Sequence, residues 1–415
     1  MTTRFGFMPA ASVLVAGEDE QNRIIGDYIT ALEHAGGERW TKAQFGDRAP
    51  LFFLVATGGT ERVVLDLHTI RQESAPDEPV LLIAHPGNNS LPAALEVLAR
   101  MQQDGARGRI FYLSGPDDVE GLRRIAQAAS DLDVRRTLHG SRVGLIGDPS
   151  DWLVASMTAP EAVTAVWGPE IVFIPVEELK ARIAATTEDD VAVAADSLAR
   201  GATGIVEPTA KDLTDVARVH AALRDLVKEH RLDALTVRCF DLVLDLSMTG
   251  CFGLAELTDN GVIAGCEGDL PSTIGLLWAS LITGEVPWMA NPAQLDESAN
   301  TLWLAHCTVP RRMVESYRLR SHFESGLGVG IQGVLPKGPV TLLRLGGVTM
   351  ERLWCAEGDL IESGDAENLC RTQAKIHLTD GSVGELLHSP LGNHIVLVPG
   401  HHAARLRAWW ETVIH

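Results

Sequence analysis

Two carboxylates stand two residues apart in the stretch "GVIAGCEGDLPSTIGLLWASLITG" (261–284), at Glu267 and Asp269. On a regular strand such a pair faces one side, and in a loop it can converge on one ion. Two carboxylates at a strand end can bind a hard divalent cation, Mn2+ or Mg2+, or one can serve as a base. A structural role competes with that chemistry. An acid just ahead of Leu270-Pro271 also caps a helix that carries proline in its first turn.

Other chemically able residues are scattered. "GNHIVLVPGHH" puts His394 after a Gly-Asn turn and before an apolar strand, with His401 and His402 at the far end. Imidazoles are metal ligands and proton carriers, and three within nine residues raise the ligand reading above that of a lone surface histidine. "AHCTVPRR" adds His306, and "TVRCFDLV" adds Arg238 and Asp241 at another strand end. "HPGNNSLPAALE" offers His85, Asn88, Asn89 and Ser90 at a helix start, which suits an anion, a sugar hydroxyl or simply a well-capped turn. "GLGVGIQG" lacks the Lys-Ser/Thr of a phosphate-binding loop and the context of a dinucleotide fingerprint, so no nucleotide cofactor is expected.

The elements that must hold these groups read as α/β. "PVLLIAHPGNNSLPAALEVLARMQQDG" is a compact apolar strand, a turn and a helix starting near Ser90, which caps it. "GRIFYLSG" and "DDVEGLRRIAQAASDL" repeat the pattern. Strand–helix alternation implies a mostly parallel sheet with helices on its faces. A second such region begins near His139. It includes "EIVFIPVEELKARIAA" and one long amphipathic helix, "TAKDLTDVARVHAALRDLVKEH", with Thr209 or Asp212 near its start. "LDALTVRCFDLVLDL" reads as a strand feeding a loop. Glu267 and Asp269 then fall at a strand-to-helix junction, where ligands of open α/β sheets gather. After about residue 305, short β pieces between glycine turns suggest a barrel-like domain, closed by a helix in "HHAARLRAWWETV".

The chain has 415 residues and is 46% hydrophobic, ample for two or three domains. Fifty-five acids against 35 Lys and Arg give a formal charge of -20, which disfavours nucleic acid as a partner. No apolar run reaches the roughly 18 residues of a membrane span, and the N-terminus lacks a signal-peptide core. Neither a membrane partner nor export is expected, and the cytoplasm is the expected location. Six dispersed cysteines without a CxxC pair read as reduced thiols.

Taken in order, eight segments resemble the L-fucose isomerase and L-arabinose isomerase superfamily, in its shorter fucose isomerase-like branch. They are "HPGNNSLPAALE", "RVGLIGDPSDWLVAS", "RCFDLV", "GVIAGCEGDLPST", "AHCTVP", "GPVTLLRLGG", "RTQ" and "GNHIVLVPG". The resemblance implies two Rossmann-like parallel-sheet α/β domains followed by a β-rich, barrel-like C-terminal domain, placed here at 1–138, 139–304 and 305–415. It implies an oligomer, trimer or hexamer. It also implies an aldose–ketose isomerase that works on a free sugar through an enediol with Mn2+, Mg2+ or Co2+ being alternatives. Under it Asp269 and His394 become metal ligands, and Glu267 a ligand, a supporting group or a base. Asp241, then Glu256, are the candidates for a further catalytic carboxylate. Arg238, His306 and Asn88 are candidates for holding substrate oxygens. Another metal-assisted sugar reaction, an epimerase or a lyase, and a non-catalytic sugar-binding protein are the rival readings.

Overall fold

The computed structural model describes residues 4–15, 17–76 and 78–414. The chain forms two compact units, Met1–Asp133 and Val134–His415.

The first unit is a five-stranded parallel sheet. Its spatial order is Gly37–Arg39, Phe5–Ala10, Leu51–Val55, Val80–Ala84, Gly108–Tyr112. Alternate residues of the apolar strands serve opposite faces. Phe52 and Leu54 enter one core with Phe5 and Phe7, while Leu51, Phe53 and Val55 enter another with Val80 and Leu82. The helix Ser90–Gln103 follows the fourth of these strands in space. Its cap differs from the sequence expectation. Asn89, with φ 54°, is the capping residue, and Ser90 is buried inside the first turn. The Ser90 hydroxyl donates to the Val55 carbonyl at 2.6 Å and accepts from the His85 amide at 3.0 Å, so it ties strands together instead.

The second unit carries a four-stranded parallel sheet in the order Glu170–Ile174, Arg142–Ile146, Ala234–Val237, Ile263–Cys266. It also carries a closed antiparallel barrel of six strands: Trp288–Asp296, Thr301–His306, Thr372–Asp380, Arg352–Gly364, Gly338–Gly346 and Ile395–Pro399. The α/β character and the C-terminal barrel read from the sequence are therefore the observed fold. The long helix Ala210–His230 is capped by Thr209 with Asp212 reaching back, so both residues form one capping box. After Ala234–Val237 the chain does not loop but forms the helix Cys239–Leu246, where Cys239 and Leu242 turn inward together.

The helix Leu270–Thr283 joins sheet to barrel. Eleven of its residues are buried, from Leu270 to Ile282, because it is covered on every side. Ile274, Leu277 and Trp278 share one core with Leu343, Leu345 and Val396 of the barrel, and each such side chain contributes about 1.5–3 kcal/mol when fully buried. Trp278 also packs on Trp167, Trp409 and Trp410, which anchors the C-terminal helix Ala403–Val413. Packed this way, the helix Leu270–Thr283 holds its capping residue Asp269 against the barrel, where Arg344 and His394 meet it.

Candidate functional site

The parallel strand Ile263–Cys266 ends one residue before Glu267. Two successive left-handed residues, Glu267 with φ 65° and Gly268 with φ 73°, then turn the chain back. A left-handed glutamate is strained, by roughly 1–2 kcal/mol, and such strain persists where surrounding contacts enforce it. Here they do. The Gly268 amide donates to Val237 O at 3.1 Å and the Ser150 amide donates to Glu267 O at 2.9 Å. A side chain at Gly268 would meet Pro149 Cα at 2.7 Å, so only glycine lets the 148–150 backbone approach.

Asp269 caps the helix and is fully buried. Its Oδ1 accepts from the Ser272 amide at 2.8 Å. Its Oδ2 accepts from Ser272 Oγ at 2.8 Å, Arg344 Nη1 at 3.1 Å and His394 Nδ1 at 2.8 Å. Arg344 comes from the barrel strand Gly338–Gly346 and also donates to Ser156 Oγ at 2.6 Å. Burial pushes the Asp269 carboxyl upward. The Arg344 charge, His394 and the Ser272 amide outweigh it and hold the group well below the usual carboxylate range.

His394 stands just before the barrel strand Ile395–Pro399, with its ring fully buried. With Nδ1 committed to Asp269, its Nε2 points toward Glu267 Oε1 at 3.6 Å, too far for a hydrogen bond, and has no hydrogen-bond partner. Burial pushes this ring down, yet the Asp269 and Glu267 carboxylates outweigh it and hold it at about 9. Glu267 is itself pushed up by burial and pulled below its usual range by His394 and by Trp152, whose Nε1 donates to Oε2 at 2.5 Å. His306 closes the group at the end of strand Thr301–His306, its ring 5.7 Å from that of His394 and its Nδ1 2.8 Å from Thr308 Oγ1. Burial and the neighbouring His394 push it down to about 3, so it is a neutral imidazole.

Glu267, His306 and His394 each offer one ligand atom, all within 4.8 Å of one another. Two imidazoles and a carboxylate suit a first-row divalent cation. The orphaned buried Nε2 is the observation that fits one, since a buried ring nitrogen without a hydrogen-bond partner is costly, and a divalent cation would take the place of its proton. Asp269 then holds the far side of the His394 ring, the carboxylate–histidine arrangement that fixes a ligand's tautomer. A cavity of about 520 Å³ opens beside Glu267, lined by Trp152, Phe240, Asn291, Pro292, Glu324 and Asn393 together with Glu267 itself.

The structure thus gathers four of the sequence candidates, Glu267, Asp269, His306 and His394. The others have local partners. Arg238 binds Asp241 at 3.0 Å, Pro149 O at 2.6 Å and Asp151 at 3.2 Å, which ties the 149–151 loop beside Gly268. Glu256 is paired with Arg311. Neither Asp241 nor Glu256 belongs to the three-residue group or the cavity lining. Asn88 is an exposed left-handed residue of the first unit, its carbonyl accepting from the Gly58 amide at 2.7 Å. His401 faces Glu357, and His402 Nε2 lies 2.9 Å from Pro399 O. A second cluster of possible ligands, Glu178, Glu229 and His230, is bridged by Arg182, which reaches both acids at 2.7 Å.

Sequence reasoning gave no role to Arg344, Trp152, Ser156, Ser272 or Glu324. Arg344 did leave a signal. A single cation inside the apolar strand "PVTLLRLGG" must find a buried acid.

No protein-family model matches the chain. It is 24% identical over 231 residues to a sulfoquinovose isomerase of Clostridium sp. (strain MSTE9), covering 55% of this chain and 52% of that protein. It is 22% identical to a sulfoquinovose isomerase of Alkalicoccus urumqiensis, covering 57% and 54%. A third, from Priestia aryabhattai, is 20% identical over 300 residues, covering 70% and 67%. The chain spans about half the length of the first two relatives. A solved Enterococcus faecalis protein of unknown function aligns over 94% of this chain and 95% of its own at 12% identity, with a TM-score of 0.14, too low to carry an argument. Among the described residues, no helix is long and apolar enough to cross a membrane.

Proposed function

We propose that the chain is a divalent-metal-dependent aldose–ketose isomerase of the fucose isomerase-like kind, acting on a free sugar through an enediol. The observation that carries the reading is the Glu267–His306–His394 group, with its unpartnered His394 Nε2, beside a cavity of small-molecule size. The names of the distant relatives support the same reaction class. A cytoplasmic homo-oligomer belongs to the same proposal.

Glu267, His306 and His394 would hold the ion, and Mn2+ or Co2+ suits two imidazoles better than Mg2+, which favours oxygen donors. When bound, the ion polarises the carbonyl and adjacent hydroxyl of the sugar. The chain's own residues do the rest. Asp269 fixes the His394 ring with its Nδ1 proton toward Oδ2, and Arg344 balances the Asp269 charge. Trp152 steadies Glu267 and, half exposed over Phe240, gives the cavity an apolar wall for the C–H face of a sugar. Asn291 and Asn393 present carboxamides to hydroxyl groups.

The test is a panel of aldoses with added Mn2+ in deuterated water, read by NMR for exchange at the C2 hydrogen and for ketose with the same carbon skeleton. Exchange and ketose formation are expected with at least one aldose. Bound Mn2+ with no exchange in any aldose overturns the reading. Products with a cleaved carbon skeleton favour a lyase, and a C2 epimer without ketose an epimerase.

A further inference from the structure

Aldose–ketose isomerisation needs a proton moved between neighbouring carbons, and the carboxylates first considered for it are all engaged. Asp241 is paired with Arg238 and Glu256 with Arg311. Asp269 is saturated by Ser272, Arg344 and His394, and Glu267 belongs to the group suited to the ion. The cavity beside Glu267 has one more carboxylate in its lining, Glu324.

We propose that Glu324 is the base that carries the proton between the sugar carbons, a role that rests on the isomerase reading above. Three observations support it. Glu324 faces the same cavity as Glu267, and its carboxylate makes no hydrogen bond or ion pair with any described residue. It sits on a built turn. The His322 amide donates to Leu327 O at 2.8 Å, the Gly326 amide donates to His322 O at 2.8 Å, and His322 Nδ1 lies 3.0 Å from Ser325 Oγ. The His322 ring packs against Phe240, another wall of the cavity, with centroids 5.6 Å apart. Partial burial and the Glu267 charge also raise the Glu324 carboxyl, the direction a base for neutral pH requires.

The step balances within substrate and side chain. The Glu324 carboxylate takes the proton from C2, the C–H electron pair forms the C1–C2 double bond, and the C1=O π pair takes a proton from water in the open cavity to give the O1 hydroxyl. The carboxylic acid then returns a proton to C1 as the C2 hydroxyl gives its own proton back to water and becomes the ketone. Gains and losses of protons cancel, and no outside oxidant or reductant enters.

The experiment compares wild type with Glu324→Gln and Glu324→Gly, using the aldose panel in deuterated water. Bound Mn2+ and sugar affinity are measured on the same samples. Both variants are expected to keep their Mn2+ and to bind sugar within a few-fold of wild type, since Glu324 has no structural partner to lose. Hydrogen exchange should fall on the order of 10²–10⁴-fold. Added formate should restore part of the exchange to Glu324→Gly, which a merely structural defect would not show. Wild type that exchanges and Glu324→Gln that exchanges equally overturns the Glu324 assignment alone. Loss of Mn2+ or of sugar affinity together with exchange also overturns it, because the residue then serves binding. No exchange by wild type with any aldose overturns the isomerase reading and this one with it.

Discussion

Replacing Asp269 with asparagine separates its two roles. Asn is as good a helix cap as Asp, so the Ser272 amide keeps an acceptor and the helix Leu270–Thr283 keeps its start. The loss falls on Oδ2, where Arg344, His394 and Ser272 Oγ all converge. The Arg344 and Asp269 side chains are 2% and 0% exposed, so the arginine cannot turn to water when its counter-charge disappears. Stranding one partner of a buried pair costs roughly 3–5 kcal/mol. His394 would keep its place in the strand but lose the acceptor that sets its tautomer, which lowers metal affinity about 10–100-fold. The stability loss is read by denaturant unfolding of the metal-free protein, and the affinity loss by calorimetric titration with Mn2+. The double variant Asp269→Asn/Arg344→Met removes the stranded charge. It should recover part of the stability but none of the affinity, so the two losses are separable. Unchanged unfolding and unchanged Mn2+ affinity in Asp269→Asn would refute the reasoning. Abolished Mn2+ binding with full stability would place the carboxylate on the ion itself.

Three further outcomes follow from local structure. Gly268→Ala places a Cβ 2.7 Å from Pro149 Cα in a left-handed residue, and should lower unfolding stability by roughly 1–3 kcal/mol and weaken Mn2+ binding, both read by titration. Glu207 is held down at about 2, chiefly by its hydrogen bonds from Arg320 against the opposing effect of burial. A depressed carboxylate stabilises fully above its free value near 4.5 and loses that contribution as pH falls toward 2, so Glu207→Gln should lower the thermal midpoint at pH 7 and narrow its drop between pH 7 and pH 3. Among the described residues, the cavity lining holds Glu267 and Glu324 but no Lys or Arg, so quinovose should exchange hydrogen at least about tenfold faster than the same sugar bearing a sulfo group; faster exchange of the sulfonated sugar would refute this electrostatic reading.

Much of the fold was legible in the chain, because periodicity and turn residues act locally. Apolar runs such as Val80–Ala84 and Ile263–Cys266 form buried parallel strands, and Thr209 with Asp212 marks a helix start that the structure keeps. "FDLVLDL" reads as loop in the sequence yet folds as helix, because two turns are too short for a clear period. In "CEGD" the spacing of the acids was visible, but not which one faces the cavity. Two consecutive left-handed residues decide that: they separate Glu267, toward the open side, from Asp269, into the core.

Residue type and order alone showed carboxylates ahead of a proline-led helix and a histidine ahead of an apolar strand. Distance between them was settled only by tertiary structure. Asp269 and His394 are 125 positions apart in sequence yet 2.8 Å apart in space. The barrel closes between strands Trp288–Asp296 and Ile395–Pro399, and the helix Leu270–Thr283 packs against that wall. Hydrophobic burial sets this geometry, and the polar groups follow it. Arg344, Ser156 and Trp152 acquire roles because packing brings them within reach of acids that must be paired once they leave water.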